Sequence, residues 1–369
     1  MIVPVNQPLI AKNSLKYVTE CIKSGWVSSQ GKFISSFEEG FAKFLQVKFA
    51  TTTTNGTNAL HLALASLNIG SGDEVIVPNL TIISCPLAVL YTGAKPVLVE
   101  VEKQTGNIDV SKIESKITKK TKAIMVVHLY GHPAELDPIL KIAKKHKIFV
   151  IEDAAQAHGA TYKGKKVGSI GDVGCFSFYA NKIITTGEGG MLTTTNEKIF
   201  KKAMLLKDLA HSPKKRFFHH HIGFNFRMTN MQAALGLAQL EQVDKYIEKK
   251  RWMADLYNKL LKDQENLELP IEQDFVRSVF WMYAVKLKGK IKRDFLRKKL
   301  LDFGIDTRTF FFPLHRQPVL KRKIPLNYEA FPVSDDLAAR GFYLPSGLAI
   351  TKPQIYFVSK TIKKILNGI

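Results

Sequence analysis

Apolar and polar positions divide the chain into two regimes. Through the first two thirds, short continuous apolar runs alternate with longer stretches of helical period. The runs at 74–77, 96–101, 123–128, 147–151 and 173–178 are short, rich in β-branched or aromatic residues, and bounded by glycine or charge. That combination predicts buried strands, not helices. Strands alternating with helices predict a mainly parallel sheet covered on both faces, with right-handed crossovers bringing the strand ends to one side. Before them, the segment up to about Leu45 reads as helix, loop and helix, with Trp26, Ser28 and Ser29 in the loop. After them, 223–250 has apolar spacing suited to one long amphipathic helix. From about Ile247 the alternation changes: a strand-like run at 278–287 is followed by a helical stretch at 294–304. The pattern predicts a large α/β domain over 1–246, including the N-terminal segment, and a smaller α+β domain over 247–369.

The polar residues that close these runs carry the candidate chemistry. The run at 147–151 leads into Glu152 and Asp153, and the run at 173–178 leads through Ser177 to Asn181 and Lys182. Ligands of parallel α/β sheets sit at the carboxyl ends of the strands, so Asp153 and Lys182 are expected at one crevice. A carboxylate and an amine held there suit pyridoxal phosphate chemistry, in which a lysine forms the Schiff base and an aspartate pairs with the pyridinium nitrogen. Upstream, Asn55-Gly56-Thr57 precedes a helical pattern with Leu60, Leu62, Leu64 and Leu67. A helix start of this kind offers free N–H groups to an anion. It is not the dinucleotide fingerprint, because G-x-G-x-x-G is absent. His128, at the end of its strand, fits either the site or a satisfied structural histidine.

Longer stretches carry a resemblance. EDAAQAHGA followed by FSFYANKIITTGEGGM, together with GWVSSQGKFISSFE, NGTNALHLAL, GDEVIVP, VHLYGH, GFNFRMTNMQAALGLAQLE and GIDTRTFFFPLH, resembles the DegT/DnrJ/EryC1/StrS sugar aminotransferases over nearly the whole chain. The resemblance implies the type I, aspartate aminotransferase-like fold and pyridoxal 5'-phosphate as cofactor. It implies Lys182 and Asp153 as the catalytic pair, and Gln156 at the ring hydroxyl. Gly56, Thr57 and Ser177 would bind the phosphate, with Asn225 supplied across a homodimer. Ile82 stands where the family commonly has an aromatic residue stacked on the ring; an aliphatic side chain still covers the ring by apolar contact. Trp26, Ser28, Arg308 and His315 would border the substrate. The implied reaction moves an amino group from L-glutamate to a nucleotide-linked 4-keto-6-deoxyhexose, GDP-linked in the first instance, with a UDP- or dTDP-linked keto-sugar as the alternative. Relatives that dehydrate sugars carry histidine at the lysine position, and Lys182 argues against that chemistry. It argues equally against a non-catalytic binding module on the same fold.

Charge changes this picture little. The 369 residues carry a net charge of +22, which suits nucleic acid, a membrane surface or an acidic substrate. The lysines, however, are scattered along helical stretches such as KIESKITKKTKAI, as on solvated faces, with no basic run interleaved with aromatics. A nucleotide-sugar diphosphate is the more economical partner, and neither nucleic acid nor membrane is expected. Cys21, Cys85 and Cys175 are odd in number and far apart, which suggests buried thiols in a reducing, cytoplasmic setting. The internal run His219-His220-His221 cannot point one way on a strand or helix, so packing is expected there and no metal site.

Overall fold

The computed structural model describes residues 1–212, 214–215, 217–324 and 330–368. Its centre is a seven-stranded sheet built from β1 (Phe49–Thr53), β2 (Glu74–Pro78), β3 (Lys95–Val99), β4 (Thr121–Val127), β5 (Phe149–Asp153), β6 (Val173–Ser177) and β7 (Gly190–Thr194). The spatial order is β1-β7-β6-β5-β4-β2-β3. β7 runs antiparallel to both its neighbours, and the other adjacent pairs are parallel. The sheet is therefore mixed and mainly parallel, as its apolar runs predict.

Successive residues of a strand face opposite sides, and here each side meets its own core. Ile76, Ile124, Val126, Val150 and Phe176 point into one cluster, while Val75, Val77, Ala123, Met125, Ile151 and Cys175 point into the other. The first core is closed by α1 (Ser14–Ser24), α2 (Lys32–Leu45) and α4 (Asn230–Leu240), and the second by α3 (Gly56–Ser66) and the helices Ser84–Tyr91 and Glu197–Lys207. Phe41 of α2 meets Phe176 and Phe178 edge-on, at centroid distances of 4.9 and 5.5 Å. Burying aromatic rings of this size stabilises the layer by about 1.5–3 kcal/mol each. It fixes β6, and with it the segment that carries Lys182.

Two readings of the C-terminal half need correction. The stretch 223–250 is not one helix: α4 ends at Leu240, and α5 (Val243–Leu261) begins after a break at Glu241 and Gln242. α4 starts only at a capping box, in which the Thr229 hydroxyl takes the Gln232 N–H. The two helices share the first core through Val243, Tyr246 and Ile247 and then diverge. α4 packs against α1 and α2, whereas α5 turns Met253, Ala254, Tyr257 and Leu261 into a third core. The run 278–287 is strand only from Tyr283 onward. Its first half instead reaches toward the large sheet: the Val279 N–H donates to the Gly131 carbonyl at 3.1 Å, and Phe280 has φ 44°.

The third core lies under a four-stranded antiparallel sheet made of β8 (Leu267–Glu268), β9 (Tyr283–Leu287), β10 (Arg308–Thr309) and β11 (Gly341–Leu344), in the order β8-β9-β11-β10. The first residues of the chain join this region. Val3 packs in its core and exchanges backbone hydrogen bonds of 2.9 and 3.0 Å with Gly304 and Asp306. No described helix is long and apolar enough to cross a membrane.

Candidate active site

β5 ends in Asp153 and the neighbouring β6 ends in Ser177. Parallel pairing of β5 and β6 therefore delivers a carboxylate and a hydroxyl to the same edge of the sheet. Lys182 follows β6 on the connection to β7. Between Asp153 and Lys182 lies a cavity of about 450 Å³, lined also by Gly56, Thr57, Ile82, Gln156, Ser177 and Glu188. Seven candidate site residues read from the sequence thus converge on one space, with Glu188 beside them. Aromatic side chains from the C-terminal half, Trp281, Phe311 and Tyr343, close its other wall.

Asp153 is buried and held at both oxygens. The Cys85 thiol donates to Oδ2 at 3.1 Å, and the Ala155 N–H donates to Oδ1 at 3.1 Å. Burial raises the Asp153 carboxyl above its ordinary range, opposed by the Cys85 hydrogen bond, the Ala155 amide and the Lys182 charge. Burial also drives the Cys85 thiol well upward, and the adjacent Asp153 charge adds to this, so sulfur stays protonated and remains the donor. Below Asp153, Glu152 accepts from the amides of Gly168, Ile170 and Gly171 and from the His128 ring. Burial opposes the Glu152 charge, but His128 and those amides outweigh it and hold the carboxyl below its ordinary range. The His128 Nδ1 accepts the Ala134 N–H at 3.1 Å, so its Nε2 carries the proton toward Glu152. His128 is a structural histidine that anchors the end of β5.

Lys182 is the one amine in this space. Burial lowers it to about 7, with Asp153 pulling the other way. Its Nζ lies 3.7 Å from the centroid of the Trp281 ring. A lysine with a lowered pKa is neutral, and so nucleophilic, at a pH where ordinary lysines are charged. In the cofactor-free chain, acylation of Lys182 is expected to reach half its maximal rate near pH 7. Surface lysines should require a pH roughly three units higher, near the ordinary value for the side chain. Peptide mass mapping across a pH series checks this.

The helix start at 55–58 supplies the anion cup. The Asn55 side chain caps α3 by accepting the Asn58 N–H at 2.8 Å, and the first-turn amides of Gly56 and Thr57 stay outside the helix's own ladder. The Thr57 hydroxyl bonds the Ser84 hydroxyl at 2.9 Å. Gly56 passes so close to Ser177 that a Cβ would sit 2.7 Å from the Ser177 Cβ. Gly56→Ala must therefore pry the amide cup away from Ser177. Overpacking of about 1–3 kcal/mol translates to roughly 5- to 150-fold weaker binding of pyridoxal phosphate. Absorbance titration measures this, and binding of pyridoxal without the phosphate is expected to change far less.

Apart from Gln156, the remaining sequence candidates lie elsewhere. Gln156 lines the cavity, and its Oε1 accepts the Tyr130 N–H at 2.8 Å, which leaves its amide N–H groups for the cavity. Asn225 is exposed outside the cavity, with its side-chain oxygen bonded by Arg227. Trp26 lines a second hollow beside Asn230, and Ser28 offers its carbonyl to the Asn230 N–H. Arg308 is exposed and paired with Asp306. His315 is tied to Asn79, faces Asp335 and packs on Phe331, away from the cavity. Of 310–312, Phe310 is buried, Phe311 stacks on Tyr130 and lines the cavity, and Phe312 is exposed. His219 bonds the Leu209 carbonyl and packs on His211. Cys85 and Trp281 escaped the sequence reading. A lone cysteine has no spacing to mark it, and Trp281 sits in an apolar run read as strand.

A description of the DegT/DnrJ/EryC1/StrS aminotransferase family matches residues 8–363. The chain belongs to that family. It is 44% identical over 365 residues to the GDP-perosamine synthase of Escherichia coli O157:H7, covering 99% of each chain. It is 44% identical over 367 residues to the GDP-perosamine synthase of Caulobacter vibrioides, covering 99% of this chain and 98% of that one. Among solved structures, the PLP form of Spr1654 from Streptococcus pneumoniae superimposes with a TM-score of 0.94 at 25% identity, covering 100% of this chain and 99% of that one. The chain is thus an aminotransferase on the fold its sequence implies, and pyridoxal phosphate is the cofactor its family implies. The residues present fit that group: one cavity with an anion cup, a buried carboxylate and a half-buried amine in its lining.

Proposed function

We propose that the protein is a pyridoxal-phosphate-dependent aminotransferase that converts GDP-4-keto-6-deoxymannose to GDP-perosamine, with L-glutamate as amino donor, working as a cytoplasmic homodimer. The observation that carries the reading is the facing of Asp153 and Lys182 across one cavity that ends at the Gly56–Thr57 cup. The sugar and its nucleotide rest on full-length similarity to proteins named for that product.

When bound, pyridoxal phosphate supplies the carbonyl that exchanges amino groups and a ring that takes up the electron pair left at the donor's Cα. The chain's own residues make that possible. The amides of Gly56 and Thr57 and the Ser177 hydroxyl bind the phosphate, and Asn225 of a second copy would complete the cup. Asp153 holds a proton at the ring nitrogen, and Cys85 and Ala155 keep that carboxylate aimed. Gln156 presents N–H to the ring hydroxyl, and Ile82 covers one face of the ring. Lys182 anchors the group covalently. Its free Nζ would move the proton from the donor's Cα to the cofactor carbon and, in the second half, would carry one back from that carbon to the sugar carbon. The aromatic wall of Trp281, Phe311 and Tyr343 restricts water at the reacting centre, which strengthens each of these charge interactions.

A screen of GDP-, UDP- and dTDP-linked keto-sugars with glutamate, read by product mass, tests the assignment. The GDP-linked 4-keto sugar is expected to give an amino-sugar product. Turnover of a UDP- or dTDP-linked sugar in its place keeps the reaction and replaces the substrate. No amino-sugar from any of them overturns the reading.

A further inference from the structure

A second lysine lies deep in the protein behind the active site. Lys250 of α5 is 2% exposed, and its Nζ donates to the main-chain carbonyls of Trp281, at 2.6 Å, and Ser346. No carboxylate pairs with it among the described residues, and burial lowers it to about 7. Burying an amine without a counter-charge is costly, and the mechanism above makes no use of it. What it holds is Trp281. This residue is fixed from two further directions. Its indole N–H donates to the Asn181 carbonyl at 2.8 Å, and its ring face meets the Lys182 Nζ at 3.7 Å. Asn181, Lys182, Lys250 and Trp281 line one small hollow beside the main cavity.

Lys182 reaches its work through a flexible four-carbon stem, although its backbone is held by a 2.8 Å hydrogen bond from its N–H to the Tyr179 carbonyl. Through both halves of the reaction its amine would be free of the cofactor and would have to carry a proton between two nearby carbons. An unheld amine would lose the advantage of proximity. An aromatic face attracts an ammonium and packs against a neutral amine alike. We propose that the Trp281 indole is the surface on which the free Lys182 amine rests between its tasks, and that Lys250 is a positioning residue that fixes this surface from behind. The proposal rests on the role assigned to Lys182 above. Asp153 and His158 are the titratable groups whose charges act on Lys182 or respond to it.

The test uses the holoenzyme with Trp281→Phe, Trp281→Leu and Lys250→Met, and the same chains without cofactor. Trp281→Leu is expected to slow the half-reaction with glutamate roughly 10- to 100-fold. The isotope effect on Cα-deuterated glutamate should rise, while the KM for glutamate and cofactor retention stay near wild type. In the cofactor-free chain, acylation of Lys182 at alkaline pH, where the amine is neutral with or without the indole, should become faster, because the amine has lost its cover. Trp281→Phe keeps a ring face and should recover most of the rate. Lys250→Met should follow Trp281→Leu in all three readouts, and Lys250→Gln, which retains a donor for the two carbonyls, should recover part of the loss.

A Trp281→Leu enzyme with wild-type half-reaction, isotope effect and Lys182 acylation overturns the proposal. So does a change confined to the KM, which would assign the ring to substrate. Should the lysine variants fail to fold, the Trp281 pair still decides whether the indole is the resting surface. If wild-type enzyme shows no Lys182-dependent reaction with glutamate, the aminotransferase assignment itself falls. A wild-type reaction matched by Trp281→Leu removes the resting surface alone.

Discussion

Lys182→Ala is expected to lower the rate of amino transfer by roughly ten-thousand-fold, the upper range for loss of a positioned proton carrier, and to remove the covalent anchor as well. The fold should persist. Lys182 lines an open cavity, so its truncation enlarges a space that solvent already reaches and creates no closed void in a core. Cofactor should still enter through the Gly56–Thr57 cup, but borohydride should no longer attach it to the chain. Two measurements check this: single-turnover absorbance with glutamate, and peptide mass after reduction. Added methylamine should restore part of the rate, because the missing element is a base and not a shape. A Lys182→Ala enzyme with wild-type turnover would remove the amine from the mechanism.

Asp153→Asn is expected to have the next largest effect, a loss on the order of a hundred- to a thousand-fold, as for removal of one preorganised charge interaction. Asparagine keeps the volume, and its one carbonyl oxygen can keep the hydrogen bond of either Cys85 or Ala155 but not both. It cannot carry the negative charge that holds a proton at the ring nitrogen. The pH dependence should change with it. Burial raises the Asp153 carboxyl above its ordinary range, and the working form is the ionised one. Wild-type activity should therefore fall as pH drops through that raised value, and the asparagine enzyme should lack this acidic limb. Comparing the pH profiles of kcat for the two enzymes reads the difference.

Much of this was legible in the sequence because each signal was local. Short apolar runs bounded by glycine or charge marked the buried strands, and the placing of ligands at the carboxyl ends of parallel strands put Asp153 and Lys182 at one crevice. Asn55-Gly56-Thr57 could be read as a helix start because capping is decided within four residues. The contribution of the smaller sheet was not legible. Trp281 belongs to an apolar run whose first half abandons its strand to reach Gly131 and Asn181, and those partners lie 150 and 100 residues upstream. The break at Glu241 and Gln242 was hidden for another reason. Residues 230–240 and 243–250 share a helical period and pack into the same core, so no change of pattern marks the break between them. His315 shows the opposite limit. Its place near a family motif suggested substrate, but Asn79 and Phe331 hold its ring within the protein.

The single antiparallel strand has a consequence for how the enzyme survives without its cofactor. Ser177 at the end of β6 sits directly opposite Gly190 at the start of β7, so residues 178–189 leave and re-enter the sheet at one rung. A segment pinned at both ends in this way cannot drift outward unless two central strands first come apart. The lysine it carries should therefore keep its place in an empty enzyme. Reloading with pyridoxal phosphate should need no refolding step, and its rate should rise in proportion to cofactor concentration without reaching a plateau set by the protein.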